Sequence, residues 1–236
     1  MRQCYQVSER HKRVLPAGFT IVELLIVIVV IAILAAIAIV AYVGVSDRAY
    51  NSRTLDNISK AQRALAAYHA VHDRYPSGGE DGVSGFCLGT GHADRRCARA
   101  QPDPSCGMGS NMTYTNESDS FADEMRQFSG GVFPANSHPE VMARWDLGGC
   151  SFNFWYTGAV YSTSHRVNVD ESGRAVSMSY LGGVSLETAK AYHILYYIKG
   201  EDRDCGVGIT ANQSFVYTTA AGWTTCELTG GVKEVR

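Results

Sequence analysis

Residues Leu24 to Val45 read LLIVIVVIAILAAIAIVAYVGV, a run without a single Asp, Glu, Lys, Arg, Asn or Gln. As an α-helix this stretch would be about 33 Å long, at roughly 1.5 Å per residue, which matches a hydrocarbon core about 30 Å thick. A cleaved secretory signal has a shorter apolar region, of roughly 7 to 15 residues. The stretch therefore predicts a helix that spans a membrane.

The residues before the apolar stretch indicate its orientation. Four bases, Arg2, Arg10, Lys12 and Arg13, precede it, against the single acid Glu9. Because positively charged flanks favour the cytoplasmic side of a membrane, we expect the N-terminus to lie in the cytoplasm. The rest of the chain would then lie outside.

Glu23, at the edge of the apolar stretch, is not explained by an ordinary membrane anchor. A carboxylate within hydrocarbon costs on the order of 2.5 kcal/mol or more. Glu23 is therefore expected either to lie in the headgroup layer or to have a partner of opposite charge. Gly18 stands five residues earlier, and the segment from Gly18 to Ile26 reads GFTIVELLI.

This segment closely resembles the processing site of type IV prepilins and of the pseudopilins of type II secretion. The resemblance covers residues 1 to about 76. It implies that a membrane-embedded prepilin peptidase cuts between Gly18 and Phe19 and N-methylates Phe19, which removes residues 1–18 as a cytoplasmic leader. It also implies an assembly role for Glu23, whose carboxylate would pair with the Phe19 ammonium of a neighbouring subunit, since an unpaired buried charge is costly.

Beyond Val45 the chain becomes amphipathic without a helix breaker. Apolar residues recur at spacings of three and four, namely at Leu55, Ile58, Ala61, Leu65, Tyr68, Val71 and Tyr75. Asp56 and Lys60 are spaced to form an i,i+4 ion pair. The pattern predicts one helix from Phe19 to Tyr75, ended by Pro76, with a transmembrane and filament-core part over 19–45, an amphipathic continuation over 46–76 and an extracellular head over 77–236.

The head is predicted to be mainly β-structure. Residues from Ser77 to about His138 are rich in turn formers and predict an irregular stretch, with one short helix from Ser118 to Phe128. Strands are predicted at 152–156, 215–218 and 223–228, and a hairpin at 166–169 and 175–180. A further helix is predicted from Ser185 to Lys199, stopped by Gly200. The fold class is α+β, a long N-terminal helix packed on an antiparallel sheet, which is similar to the pilin fold.

Six of the seven cysteines remain once the leader, with Cys4, is removed. They are Cys87, Cys97, Cys106, Cys150, Cys205 and Cys226. No two of them have the close spacing of a zinc site, and an oxidising exterior favours disulfides. Six cysteines allow fifteen pairings. The favoured pair is Cys205 with Cys226, which flank the C-terminal strands and resemble the C-terminal disulfide of pilins. Cys87 with Cys97 would close a local loop, which leaves Cys106 with Cys150.

The charge balance does not favour general binding of nucleic acid. The leader carries four of the 21 bases and one of the 23 acids, so the mature chain would have 17 bases and 22 acids, a net charge of −5 against −2 for the precursor. A local basic patch remains at His92, Arg95, Arg96 and Arg99. A solvated loop is the ordinary interpretation of this patch, and contact with DNA is the alternative.

Catalysis and a bound cofactor have little support in the sequence. It contains no H-E-x-x-H, P-loop, GxGxxG or G-x-S-x-G motif, so no enzymatic activity is predicted. The acidic stretches at 201–204 and 170–171 have no EF-hand spacing, and bound calcium is an alternative to a loop and a hairpin turn. Trp155 is interpreted as aromatic cover on a sheet, or alternatively as an adhesive or subunit contact.

Together these observations predict a structural subunit of a type IV pilus-like filament, serving attachment, motility or DNA uptake. The resemblance implies other pilins, the prepilin peptidase, an inner-membrane assembly platform and a cytoplasmic assembly ATPase as partners. It also implies passage from the bacterial cytoplasmic membrane into an extracellular filament. The alternatives are a type II secretion pseudopilin and a membrane-anchored extracellular enzyme or binding protein.

Overall fold

The computed structural model describes residues 19–77, 85–101, 113–130, 137–147, 150–164, 166–172, 175–179, 189–210, 218–219 and 222–235. Its helices are α1 (Ile21–His72) and α2 (Asp119–Ser129), with a 3₁₀ turn at Ala93–Arg95. Its strands are β1 (Phe86–Cys87), β2 (Arg96–Gln101), β3 (Thr113–Asn116), β4 (Val141–Leu147), β5 (Cys150–Tyr156), β6 (Val160–Ser164), β7 (Arg166–Val169), β8 (Ala175–Ser179), β9 (Ala191–Lys199), β10 (Ile209–Thr210), β11 (Thr218–Thr219), β12 (Trp223–Gly231) and β13 (Lys233–Val235). The leader with Gly18, residue Cys106, and the structure predicted at 180, 185–188 and 215–217 lie outside the described ranges.

The chain divides into two units, Met1–Ser46 and Asp47–Arg236. In the first unit the described part is the start of α1, and every side chain described there is exposed. These side chains are mostly apolar, for example Leu24 and Ile33. By length and composition this helix is able to cross a membrane.

In the second unit, the later part of α1 packs on one face of an antiparallel sheet. The sheet has the strand order β1-β6-β9-β12-β10. Ile58 and Leu65 of α1 are buried in one core with Ile194 of β9. The predicted amphipathic stripe is thus confirmed over most of its length, and the predicted ion pair forms, with 2.6 Å between Lys60 Nζ and Asp56 Oδ2.

The predicted stripe is wrong at Val71, which is 68% exposed. A helix has 3.6 residues per turn, so repeated steps of three drift away from the buried face. His72, in the last turn, is also exposed, and its ring centroid lies 4.3 Å from that of Tyr68. The helix ends at His72 rather than at Tyr75.

A second sheet, in the order β11-β4-β5-β2-β3, covers the opposite face of β9. Val141, Ala143 and Tyr156 from this sheet share a buried cluster with Leu195 and Tyr197. Alternate residues of β9 therefore face α1 and the second sheet. This arrangement places β9 in the middle of the head.

The central position of β9 explains why the helix predicted from Ser185 to Lys199 is wrong over residues 191–199. The segment AYHILYYIK is buried at every position from Ala191 to Ile198. A strand buried on both faces loses the alternation of polar and apolar residues that would reveal it. A short apolar run of this kind cannot be distinguished from a helix by periodicity alone.

The irregular stretch predicted from Ser77 to His138 is also wrong in part, because β1, β2 and β3 lie within it. Strand β2 reads RCARAQ and is paired on both sides, with β3 and β5. Arg and Gln are not among the residues enriched in strands, so the sequence of β2 does not indicate a strand. The short helix, by contrast, is confirmed as α2, and the hydroxyl of Ser118 caps it by accepting a hydrogen bond from the Phe121 amide.

Other strand predictions are confirmed. The predicted strands at 152–156 and 223–228 are the cores of β5 and β12, and β7 and β8 form the predicted hairpin. A third sheet has the order β13-β7-β8, and its strand β13, which pairs with β7 in parallel, was not predicted. The observed architecture, a long N-terminal helix with mainly antiparallel sheets, is an α+β pilin-like fold.

Candidate processing and assembly site

The start of α1 is fixed by a reciprocal pair of side chains, Thr20 and Glu23. The Thr20 hydroxyl accepts a hydrogen bond from the Glu23 amide at 3.2 Å. The Glu23 carboxylate in turn accepts hydrogen bonds from the Thr20 amide at 2.9 Å and from the Thr20 hydroxyl at 2.8 Å. This is a capping box, which satisfies two amides at the helix start that lack partners within the helix.

The capping box was not predicted, although its signal, Thr followed three residues later by Glu, is present in the chain. The box gives Glu23 a role within its own subunit, in addition to the predicted pairing with a neighbour. Both hydrogen bonds to the carboxylate use Oε2, so among the described residues Oε1 is available to a further donor. The two roles of Glu23 are therefore compatible.

Phe19, the first described residue, is 85% exposed and precedes the capping box by one position. An ammonium group at Phe19 would stand at the same helix start as the Glu23 carboxylate. Gly18, on the other side of the predicted cleavage site, lies outside the described residues.

Comparison with protein families matches residues 16–39 to the model of the prokaryotic N-terminal methylation motif. The chain carries the type IV pilin and pseudopilin signature. The matched range includes Gly18, Phe19 and Glu23, and the pilin signature indicates a precursor of the pilin or pseudopilin type. No curated protein and no solved structure matches the chain.

The pilin signature implies processing by a prepilin peptidase, filament assembly with other pilins and anchoring in a membrane. This signature is that of structural proteins of the pilin type. The matched range ends at Ile39, before the second unit begins at Asp47, so the match does not extend to the head.

The junction between α1 and β9 is held by a cluster of polar contacts. The Asn51 side chain exchanges two hydrogen bonds with the backbone of Lys199, both at 2.8 Å. The Lys199 ammonium lies 2.7 Å from Asp47, and the Tyr50 hydroxyl donates to the carbonyl of Tyr197 at 3.0 Å. These contacts fix the sheet on the helix at the start of the second unit, and no sequence motif predicts them.

Four of the described cysteines form two disulfides, Cys87 with Cys97 and Cys205 with Cys226. These are the two pairs favoured by the sequence and by the resemblance to pilins. The first ties β1 to β2, and the second ties the loop after β9 to β12. The third predicted pair involves Cys106, which lies outside the described residues.

Two members of the predicted basic patch, Arg95 and Arg99, are paired with acidic neighbours. Arg95 lies 2.5 Å from Asp119 and 3.4 Å from Glu117, and the hydrogen bond with Asp119 raises the pKa of Arg95. Arg99 forms two hydrogen bonds with Glu140, at 2.8 and 2.9 Å. A third member, the histidine at position 92, is buried, and desolvation lowers its pKa. The fourth member, Arg96, is exposed.

The two acidic stretches that the sequence offers as alternative calcium sites, at 201–204 and 170–171, lie in loops at the surface. In the first, the Glu201 carboxylate accepts a hydrogen bond from the Gly222 amide, and the Asp204 carboxylate accepts one from the amide two residues later. In the second, Asp170 accepts hydrogen bonds from Ser172. Within the described ranges, no group of three or more His, Cys, Asp or Glu side chains is arranged to hold a metal ion.

A buried histidine lies near the junction of α1 with the sheet. His138 is surrounded by the rings of Tyr50, Tyr197 and Trp223, with centroid distances of 6.2, 5.7 and 5.2 Å. Burial among these rings lowers the pKa of His138 to about 4. The histidine is therefore neutral at physiological pH and packs as an aromatic side chain.

Proposed function

We propose that the chain is the precursor of a structural subunit of a type IV pilus-like filament on the bacterial surface. The observation that carries this proposal is the methylation motif at residues 16–39, which coincides with the start of a helix whose described side chains are all exposed over the first unit. The motif supplies a processing site, and the helix supplies an exposed apolar surface that has to be buried in a membrane or against other subunits.

The exposed apolar surface of α1 requires an apolar environment. Large aliphatic side chains such as Ile26, Ile31 and Ile37 are each more than half exposed, and burial of apolar surface stabilises by roughly 25 cal/mol per Å². A bilayer covers this surface before assembly. Packing against the same helix of neighbouring subunits covers it afterwards, so one helix serves as membrane anchor and as filament core.

Glu23 sets the register of that packing. Cleavage after Gly18 creates an ammonium at Phe19, which stays cationic after methylation. Oε1 of Glu23 accepts a hydrogen bond from this ammonium on an adjacent subunit, while Oε2 stays in the capping box. Because an unpaired charge in an apolar core is costly, helices out of register are disfavoured.

Under this proposal the prepilin peptidase, an inner-membrane platform and an assembly ATPase are partners of the chain. The head, with its two described disulfides, then forms the outer surface of the filament. Attachment, motility and DNA uptake are the roles open to such a filament.

Electron microscopy of material sheared from the cell surface tests the filament directly. Antibody against the head is expected to label fibres in the sheared fraction of wild-type cells. A matched strain with Gly18→Glu, in which the cleavage site is destroyed, is expected to retain the chain in the membrane and to yield no fibres. Labelled fibres confined to the periplasm would instead indicate a type II secretion pseudopilin, and the absence of any labelled fibre would contradict the proposal.

A further inference from the structure

The outer face of the second sheet carries a row of large side chains that crosses four strands. In the observed register, Arg99 of β2 lies opposite Tyr114 of β3 and Trp155 of β5, and Trp155 lies opposite Met142 of β4. Side chains alternate along a strand, so this row points away from the core that Ala98 and its neighbours fill. We call Tyr114, Arg99, Trp155 and Met142 the aromatic row.

The aromatic row is ordered by contacts among its own members and their neighbours. The Arg99 guanidinium lies 4.3 Å from the centre of the Trp155 ring, and Glu140 fixes it in place by two hydrogen bonds. The Arg96 guanidinium lies 4.0 Å from the centre of the Tyr114 ring. A surface that is already ordered loses little conformational entropy when a partner binds.

Two members of the aromatic row are exposed, and Arg99 and Trp155 are partly exposed. Met142 is 45% exposed and Tyr114 is 44% exposed. With strands roughly 4.8 Å apart, the row spans about 14 Å. Trp, Tyr, Met and Arg are the residues enriched in protein interfaces, and Trp, Tyr and Arg dominate their binding energy.

The charge of this face indicates what kind of surface it fits. Arg96 is exposed beside the row. Arg96, Arg99 and Glu140 together have a net charge of +1, from two bases and one acid. Such a face fits a partner that presents an apolar group beside carboxylates.

The same chain presents such a group in the loop after β9. Glu201, Asp202, Arg203 and Asp204 are all exposed and have a net charge of −2, from three acids and one base. Val207 beside them is 40% exposed. We call residues 201–207 the acidic loop.

The acidic loop is held in shape by its surroundings. The Cys205–Cys226 disulfide anchors it to β12, and the Arg203 amide donates a hydrogen bond to the Thr224 hydroxyl at 2.9 Å. The Tyr196 hydroxyl donates to the Cys205 carbonyl. Both complementary surfaces are thus preformed on one head.

We infer that the aromatic row of one subunit binds the acidic loop of a second copy of the chain. Two different surfaces on one chain make a head-to-tail contact, which propagates into a helical filament when the rotation does not close. This inference rests on the proposed filament. It adds a contact between heads to the contact between helices, and it offsets locally the repulsion between subunits that each carry a net charge of −5 after processing.

A charge swap in the full chain, expressed in the bacterium that makes it, tests this contact. The variants are Arg96→Glu, Asp202→Lys and the two combined. Matched controls with the same charge changes at exposed positions elsewhere on the head are Lys233→Glu and Glu171→Lys. Asp202 has a φ of 50°, a conformation that Asn also tolerates, so Asp202→Asn removes the charge while preserving the turn.

Filament protein in the sheared fraction is measured against total subunit in the membrane. Each single reversal is expected to lower the filament yield at least about fivefold, corresponding to about 1 kcal/mol per contact. The combined variant is expected to recover most of the yield, Asp202→Asn to be intermediate, and both controls to equal the wild type. Exposed charge pairs are screened by salt, so wild-type filaments are expected to dissociate more readily at high ionic strength.

The outcomes separate this inference from the proposed function. Filaments that form equally well in all variants would overturn the contact and leave the pilus subunit intact. Failure of the combined variant to recover, when it accumulates with both disulfides formed, would also overturn the contact. Wild-type cells that process the chain but form no filament would overturn the proposed function, and the contact with it.

Discussion

The Asn51 side chain pairs with the backbone of Lys199 as one strand pairs with another. Its amide nitrogen donates to the Lys199 carbonyl, and its Oδ1 accepts from the Lys199 amide, both at 2.8 Å. A residue of α1 thereby provides hydrogen-bond partners for the backbone at the end of the central strand β9, where the chain leaves the sheet for the loop at Gly200.

Replacing Asn51 by Ala is expected to destabilise the head. Both backbone groups of Lys199 lose their partner in a half-buried position, which costs about 2 kcal/mol and lowers the melting temperature by roughly 4 to 8 °C for a unit of this size. Thermal unfolding of the full chain in detergent measures the change. Ser52→Ala, an exposed neighbour on the same helix, serves as the control, and equal melting temperatures for the two variants would contradict the role of Asn51.

The disulfide pairing is directly measurable. Peptide mapping without reduction is expected to recover Cys205 linked to Cys226, and Cys87 linked to Cys97. Replacing both Cys205 and Cys226 by Ser is expected to cost about 3 kcal/mol, because the bond closes a loop of moderate length. Recovery of Cys205 joined to any other cysteine would refute the pairing, and the same map checks the predicted third pair between positions 106 and 150.

The stability of the head is expected to fall in mild acid, in part because of His138. Burial lowers the pKa of His138 to about 4 in the folded state, whereas an unfolded histidine has a pKa of about 6.5. Between these values the unfolded chain binds a proton that the folded chain does not. Stability is therefore unaffected by this residue above about pH 6.5 and falls below it, by at most about 1.4 kcal/mol per pH unit, until about pH 4.

His138→Phe keeps an aromatic ring among its three aromatic neighbours and removes the proton-binding site. Melting temperatures of the full chain measured from pH 7.5 to 4.5, a range chosen around these pKa values, are expected to fall less steeply in this variant than in the wild type. His193, whose pKa burial also lowers to about 4, contributes equally to both curves. Parallel curves for the two proteins would show that His138 does not contribute.

The two roles of Glu23 are separable by substitution. Glu23→Gln keeps an oxygen for the capping box and removes the charge, whereas Thr20→Val removes the capping hydroxyl and keeps the charge. If the charge sets subunit register, filaments are expected to be lost in Glu23→Gln and to persist in Thr20→Val. Sheared filament yield measures this, and the reverse result would assign Glu23 to helix capping alone.

The parts of the fold that follow from local patterns could be predicted from the sequence. The apolar run from Leu24 and the stripe through Ile58 and Leu65 have the composition and periodicity of a helix, and Ser118 has the position of a cap. The methylation motif is likewise contained in a short stretch of the chain. These features do not depend on contacts between distant residues.

The parts that depend on such contacts could not be predicted. Strand β9 was predicted as a helix because both of its faces are covered, one by α1 and one by Tyr156 and its neighbours. Its sequence therefore lacks the alternation of polar and apolar residues that indicates a strand. The Asn51–Lys199 pairing joins residues far apart in the chain. The aromatic row arises only when β2, β5 and β4 align in register, so neither Arg99 nor Met142 was distinguished by the sequence as a subunit contact.

The mature N-terminus tests the central claim most directly. Mass spectrometry of the chain isolated from cell membranes is expected to find Phe19 as the first residue, carrying one methyl group on its nitrogen, with residues 1–18 absent. A chain that retains Met1, or that begins at any residue other than Phe19, would contradict the assignment of Gly18 and Phe19 as a prepilin processing site.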